Sequence, residues 1–383
     1  MIGLRSRSVA VRFAALLLAL VFVGVACSST NSSDGSTGIG DTAVELPDTT
    51  TPDPGPAVAV TAEPTGVSTA PPRPSSGCSA TPPTPEASTG AQPDQKVTVD
   101  GVERTYRLYV PPSAGDGQPM PVVLNLHGLT SNIDQQVAVS QFEALAATED
   151  FVVVTPQGLG APARWGFKND PQNEDLPFFS ALLDQVEAQN CVDTARMYSS
   201  GISNGGMMST TLACQMGDRI AAVGLVSGIR QPDDCTPTGK ATPVMVFWGT
   251  KDAVLPYDGG LSAGLLLVLG LPGTTSSSAA PSTQNYGFPP VEQVVAEWAA
   301  HDGCGAEPTA FPVGTEVEER VYSGCTDAVE VRFYVVADGG HNWPGSKVML
   351  GLDRSNAVFG ITTDQVDATA LIWKFFQGYA LSS

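Results

Sequence analysis

From residue 96 onward the chain alternates short, wholly apolar runs with longer segments of helical periodicity, and few folds accommodate that pattern. The stretches "PVVLNLHG", "FVVVTP", "ARMYSSG", "IAAVGLVSG", "TPVMVFWGT" and "EVRFYVVA" are of strand length. They lack the strict polar and apolar alternation of a sheet with one wet face. Helical patterns separate them, over roughly 132–149 and 174–190, from near Asn204, over 291–302 and around 364–379. Strands buried on both faces and joined by helices predict an α/β domain over 96–383, with a mostly parallel central sheet covered on both sides. Its start differs: "QKVTVDGVERTYRLYV" alternates about Asp100-Gly101, so an antiparallel hairpin is expected there.

Upstream the sequence is of another kind. Arg5, Arg7 and Arg12 lead into an apolar run from Phe13 to Val23, followed by "GVAC" ending at Cys27. The run is short for a bilayer span, and small residues precede the cysteine. It resembles a bacterial lipoprotein signal, with Gly24 where such signals usually carry Leu; an ordinary secretory peptide cut nearby is the alternative. Residues 1–26 are therefore expected to be a signal peptide, with the protein outside the cytoplasm and Cys27 lipidated as its contact with a membrane. From Ser28 to about Gln95, Ser, Thr, Pro, Gly and Asp dominate without apolar periodicity. Such a segment buries too little surface to offset its ordering entropy, so 27–95 is expected to be a disordered stalk.

Apart from Cys27 there are six cysteines, Cys78, Cys191, Cys214, Cys235, Cys304 and Cys325. An even number in an oxidising compartment favours disulfides, and six allow fifteen connectivities. Cys304 with Cys325 is the favoured pair, since a short segment with a hairpin separates them, and Cys78 is placed to staple the end of the stalk to the domain. Without the signal, 16 basic residues face 39 acidic ones, a balance of about −23. That surface repels phosphate backbones, which argues against nucleic acid as a partner and favours neutral or weakly charged substrates.

Chemistry enters at "YSSGISNGGMMS". Ser203 stands at a strand-to-helix junction with Gly201 and Gly205 two residues to either side, so a sharp turn can push its hydroxyl into the open. The N–H of Asn204, at the helix start, would face an oxygen held beside the serine, where the helix dipole favours negative charge. A serine nucleophile needs a base, and there are three histidines. His341 in "ADGGHNWPG" follows an apolar strand on a glycine-rich loop and is the favoured base. His301 ends a helix beside Cys304, and His127 in "LNLHGLT" lies directly after a strand, where its ring is expected to bond nearby backbone. For the orienting acid, Asp252 in "MVFWGTKD" lies just past a strand end; Asp258 and Asp338 are its rivals. Serine, aspartate, histidine is the chain order of α/β-hydrolases. A second oxyanion donor is expected from the loop after an earlier strand, which makes the N–H of Leu129 the candidate.

Together with "ERTYRLYVP", "FVVVTPQG", "CVDTARMYSSGISNGGMMSTTLAC", "GTKDAVLPYDGG", "EWAAHDGC", "YSGC" and "TTDQVDATALIWKFF", these stretches resemble secreted polyhydroxybutyrate depolymerases and feruloyl esterases of the carbohydrate esterase family 1 type, over most of 97–380. The resemblance implies an α/β-hydrolase fold with Ser203, Asp252 and His341 as triad and Asn204 and Leu129 as oxyanion donors. Two departures bear on substrate: the loop after "ARWGF" lacks a cysteine that many relatives carry, and 260–288 is long, with an apolar run at 264–271 suited to a lid or to a small packed helix. The expected activity is that of a serine carboxylic-ester hydrolase acting through an acyl-enzyme on polyhydroxyalkanoate or on feruloyl or acetyl polysaccharide esters, with no cofactor or metal. Trp165, Trp248, Tyr257 and Trp343 adjoin the proposed loops and are candidate aromatic walls for the substrate. An acyltransferase or peptidase on the same fold, or a cell-surface binding lipoprotein with a dead site, are the alternatives.

Overall fold

A computed structural model describes residues 67–79, 89–166, 173–232, 235, 240–260, 262, 265, 287–350 and 359–382. The expected signal peptide, the lipid site at Cys27 and most of the stalk lie outside the described residues, as does nearly all of 260–288.

Among the described residues, eleven strands form one sheet. They are β1 (Gly90–Ala91), β2 (Gln95–Val99), β3 (Val102–Val110), β4 (Met120–Leu126), β5 (Val152–Pro156), β6 (Val192–Ile202), β7 (Ala222–Val226), β8 (Val244–Gly249), β9 (Thr309–Pro312), β10 (Val317–Tyr322) and β11 (Val331–Val336). The spatial order is β1-β3-β5-β4-β6-β7-β8-β11-β10-β9, with β2 paired to β3. From β5 to β11 every neighbouring pair is parallel. The hairpin expected at the start is β2 and β3, antiparallel about Asp100 and Gly101, both at positive φ as a tight primed turn requires. A second antiparallel flap, β9 and β10, closes the far edge against β11 and contains the hairpin expected between Cys304 and Cys325.

Helices cover both faces. Helices α3 (Asp175–Gln189), α4 (Asn204–Gln215) and α5 (Val291–His301) bury Phe178, Leu182, Met208, Leu212, Val295 and Trp298 on one side. On the other, α1 (Ile133–Ser140), α2 (Phe142–Glu149) and α7 (Ala368–Gln377) contribute Phe142, Ala146, Ile372, Trp373 and Phe376; a short α6 (Lys347–Leu350) lies between the last strand and α7. Strands β4 to β8 and β11, buried except at Pro121, Thr194 and Arg196, explain the uninterrupted apolar runs. This is the α/β-hydrolase fold.

Two expectations need correction. The helical pattern at 132–149 is two helices, broken at Gln141 with φ 56° and ψ 20°. The hydroxyl of Thr369, on α7, donates to the carbonyl of Ser140, so tertiary packing takes a group that a continuous helix would use itself. The second is that the expected stalk does not take in all of 27–95. Residues 67–79 lie along the start of β6: Arg73 N–H donates to Asp193, Thr194 N–H to the carbonyl of Arg73, and Cys78 is bonded to Cys191. Residues 90–91 pair with β3. Hydrogen bonds and a disulfide supply the ordering energy that this segment's composition lacks. The remaining cysteines pair as Cys304–Cys325, as expected, and Cys214–Cys235.

Candidate active site

Strand β6 ends at Ile202, and Ser203 turns the chain into α4 with φ 57° and ψ −123°, outside the ordinary regions for a side-chain-bearing residue. Its N–H donates to the carbonyl of Val226 at 2.9 Å and its carbonyl accepts from Met207 at 3.0 Å, so both backbone groups are held. The flanking glycines are required by contact. A Cβ on Gly205 would lie 2.2 Å from the carbonyl oxygen of Leu126, and one on Gly201 2.6 Å from the carbonyl carbon of Gly205. Gly228, beyond β7, fits equally closely, since a Cβ there would meet the carbonyl of Ser203 at 2.0 Å. Every residue from Met197 to Cys214 is buried except Ser203. The turn thus lifts one hydroxyl out of an otherwise sealed layer.

On the same carboxyl edge, the loops after β8 and β11 carry Asp252 and His341. His341 Nδ1 donates to Asp252 Oδ2 at 2.7 Å, and the other carboxylate oxygen accepts the N–H groups of Val254 and Leu255, both at 2.8 Å. Neither side chain is appreciably exposed, at 6% for His341 and 0% for Asp252. Close backbone packing sets the histidine loop: a Cβ on Gly249 would sit 2.2 Å from the carbonyl oxygen of Gly339, and Lys251 N–H donates to that oxygen. Asp258 and Asp338 are exposed, and Asp338 N–H is turned to the hydroxyl of Thr250. Hence the structure brings Asp252 and His341 into contact and places Ser203 at the same edge, two strands from β8.

The loop after β4 passes against the serine: a Cβ on Gly128 would be 3.4 Å from the Cβ of Ser203. Leu129, half-buried, follows directly. His127 is buried beneath this loop, its Nδ1 2.7 Å from the carbonyl of Gly128 and its Nε2 accepting from Gly158 N–H at 2.9 Å. Burial holds its imidazole below the usual range, so the ring is neutral. The backbone role expected for His127 is found. His301 ends α5, where its Nδ1–H donates to Asp302 and its ring packs edge-on to Trp298.

Asn204 has a second task that the sequence did not reveal. Its side chain accepts from the N–H of Trp165 at 2.7 Å and donates to the carbonyl of the same residue at 3.0 Å. The neighbouring Gly166 N–H donates to Asp175, which is paired in the interior with Arg104 lying 3.9 Å over the ring of Phe178. An asparagine directly after the elbow serine was the available signal; nothing local marks Arg104.

The four aromatic candidates separate. Trp165 and Trp343 are 1% and 0% exposed, and neither can form a substrate wall as placed. Trp165 Nε1–H donates to the carbonyl of His127, and Trp343 packs on Phe142 with its Nε1–H on Thr369. Trp248 is buried but lines an apolar cavity with Met207, Ile229, Leu255 and Phe288. Tyr257 is half-buried, its hydroxyl donating to Glu292.

The chain is 29% identical over 229 residues to feruloyl esterase B of Piromyces equi, covering 58% of this chain and 39% of that protein. It is 29% identical over 293 residues to a protein named "Probable feruloyl esterase C" in Aspergillus flavus, covering 74% and 88%. Among solved structures, an acetyl xylan esterase from Aspergillus awamori superposes with a TM-score of 0.47 at 15% identity, covering 66% of this chain and 94% of that one. The stretch from β3 to the loop holding Asp252, residues 104–255, matches the model of the family described as esterase PHB depolymerase.

Proposed function

We propose that the protein is a serine carboxylic-ester hydrolase acting through Ser203, His341 and Asp252. The observation that carries this reading is the contact between His341 Nδ1 and the buried carboxylate of Asp252, on the sheet edge where Ser203 alone of residues 197–214 reaches the surface. With the Nδ1 proton held by Asp252, the unprotonated Nε2 takes the hydroxyl proton as Ser203 Oγ attacks the ester carbonyl. The carbonyl oxygen gains the negative charge and is received by the N–H groups of Asn204 and Leu129. His341 then gives its proton to the departing alkoxy oxygen, the C–O bond breaks, and an acyl-serine remains. Water repeats the sequence and releases the acid. Asp252 stays ionised, keeping the ring in one tautomer and stabilising the imidazolium.

The family-model match and the curated relatives support polyhydroxyalkanoate, or feruloylated or acetylated polysaccharide, as the ester class. An extracellular protein held at a membrane through lipid on Cys27 completes the proposal, and three disulfides favour an oxidising compartment. The test is covalent labelling with a fluorophosphonate, followed by hydrolysis rates on a panel of these esters. Labelling that persists in Ser203→Ala, or folded protein that takes no label, would exclude the mechanism.

A further inference from the structure

We infer that His127 is a positioning residue that aims the N–H of Leu129 into the oxyanion site, a role that rests on the ester-hydrolase reading above. The carbonyl of Gly128 and the N–H of Leu129 belong to one planar trans peptide and point in opposite directions. Whatever grips that carbonyl therefore sets the direction of the donor. Two groups grip it: the N–H of Ser131, closing a turn at 3.2 Å, and His127 Nδ1, closer at 2.7 Å.

The proton on that ring is located by its other nitrogen. His127 Nε2 lies 2.9 Å from the N–H of Gly158 and 3.1 Å from the side-chain amide of Gln157. A backbone N–H can only donate, so Nε2 is bare and the single ring proton is on Nδ1, facing Gly128. Burial keeps the ring from acquiring a second proton. Gly158 is itself fixed, packed so closely on Arg164 that a Cβ would lie 2.5 Å from its carbonyl oxygen. The preceding peptide is pinned in the same way, its His127 carbonyl accepting from Trp165 Nε1 at 2.9 Å. The loop that brushes Ser203 is thus oriented by an imidazole that never meets substrate.

Asparagine and glutamine separate the two nitrogens. In His127→Asn the amide nitrogen falls near Nδ1 and can still donate to Gly128, while the contact with Gly158 is lost. In His127→Gln the amide reaches the Nε2 position instead, and the Gly128 carbonyl loses its closer donor and keeps only the N–H of Ser131. His127→Gln is expected to lose about 10- to 100-fold in kcat on a p-nitrophenyl ester, with KM within about 3-fold. His127→Asn is expected to keep kcat within about 3-fold while having the lower Tm of the two. The order of activity then opposes the order of stability, which a merely structural histidine does not produce. Activity that follows Tm, or equal kcat in both variants, would overturn the inference. In the unaltered protein, nitrogen NMR of the three histidines is expected to find Nδ1 of His127 protonated; a proton on Nε2 would overturn it without any variant. Absence of ester hydrolysis, or undiminished hydrolysis by Ser203→Ala, would instead remove the hydrolase reading and leave the tautomer measurement standing.

Discussion

Replacing Asp252 by asparagine changes one heavy atom in a fully enclosed site, and its consequence follows from three contacts. The carboxylate accepts three hydrogen bonds: Val254 and Leu255 N–H on Oδ1 and His341 Nδ1 on Oδ2. Asparagine has one acceptor oxygen, which the two backbone donors claim, because an NH2 turned toward them would face two N–H groups at 2.8 Å. The amide nitrogen then faces His341 Nδ1, which must become an acceptor, and the ring proton moves to Nε2. On the proposed mechanism, a His341 already protonated on Nε2 cannot take the proton of Ser203. The expected loss is about ten-thousand-fold in kcat, or about 5 kcal/mol of transition-state stabilisation. Since shape and two of the three hydrogen bonds are kept, stability should fall by only about 1–2 kcal/mol. Hydrolysis of a short-chain p-nitrophenyl ester, beside a urea titration followed by circular dichroism, measures both. A folded Asp252→Asn protein retaining a tenth or more of the original kcat would refute the assignment of Asp252.

Other perturbations test the frame around the site. Gly205→Ala drives a Cβ to 2.2 Å from a backbone oxygen and should cost about 3 kcal/mol or more together with most activity, whereas Gly128→Ala, with its nearest contact at 3.4 Å, should be far milder; thermal melts of the two compare them directly. Losing Cys78–Cys191, with a sequence separation of 113, should cost about 4.8 kcal/mol by loop entropy against about 3.4 for Cys304–Cys325, with a separation of 21; equal losses in paired alanine variants would count against the arm at 67–79 as a staple. His301 is raised because its Nδ1–H donates to Asp302, so the folded protein keeps a ring proton that the unfolded chain releases above about pH 6.5. That stabilisation is complete below about pH 6.5 and is lost as pH rises through the folded value, so His301→Gln should flatten the decline of the urea midpoint with rising pH there; an unchanged slope would exclude it. Burial also raises the Asp302 carboxyl, which weakens the pair without changing this sign.

Much of this was legible because the sheet is buried on both faces, so each central strand announces itself as an apolar run without help from distant residues. The elbow was legible for a local reason too: Gly201, Ser203 and Gly205 are spaced by the turn they build. What escaped the sequence depends on contacts far along the chain. The break at Gln141 depends on the hydroxyl of Thr369, 229 residues from Ser140. Trp165 and Trp343 adjoin the proposed loops yet face inward, because side-chain direction is set by Asn204, His127 and Thr369. The arm at 67–79 reads as stalk by composition, and partners across the fold, Asp193, Arg196 and Cys191 among them, make it part of the domain.

Strain and stabilisation are divided between the two ends of the parallel strands. Of nine non-glycine residues at positive φ among the described residues, four follow such strands on the carboxyl edge: Thr130 after β4, Ser203 after β6, Ser227 after β7 and Asp338 after β11. Ser203 is the extreme case, with a ψ that no favourable region accommodates. Backbone held this way costs on the order of 1–3 kcal/mol at each strained residue and persists only where its surroundings over-determine it. The opposite edge carries fasteners: at the start of β6, Asp193 holds Arg73 and Arg196, Arg196 holds the carbonyls of Ser68 and Ala70, and Cys191 holds Cys78. Eleven residues of β6 separate the two regions, about 36 Å of extended chain. A strand of that length lets the arm stiffen the sheet without reaching the elbow, so loosening the arm should lower stability while leaving kcat of the folded fraction unchanged.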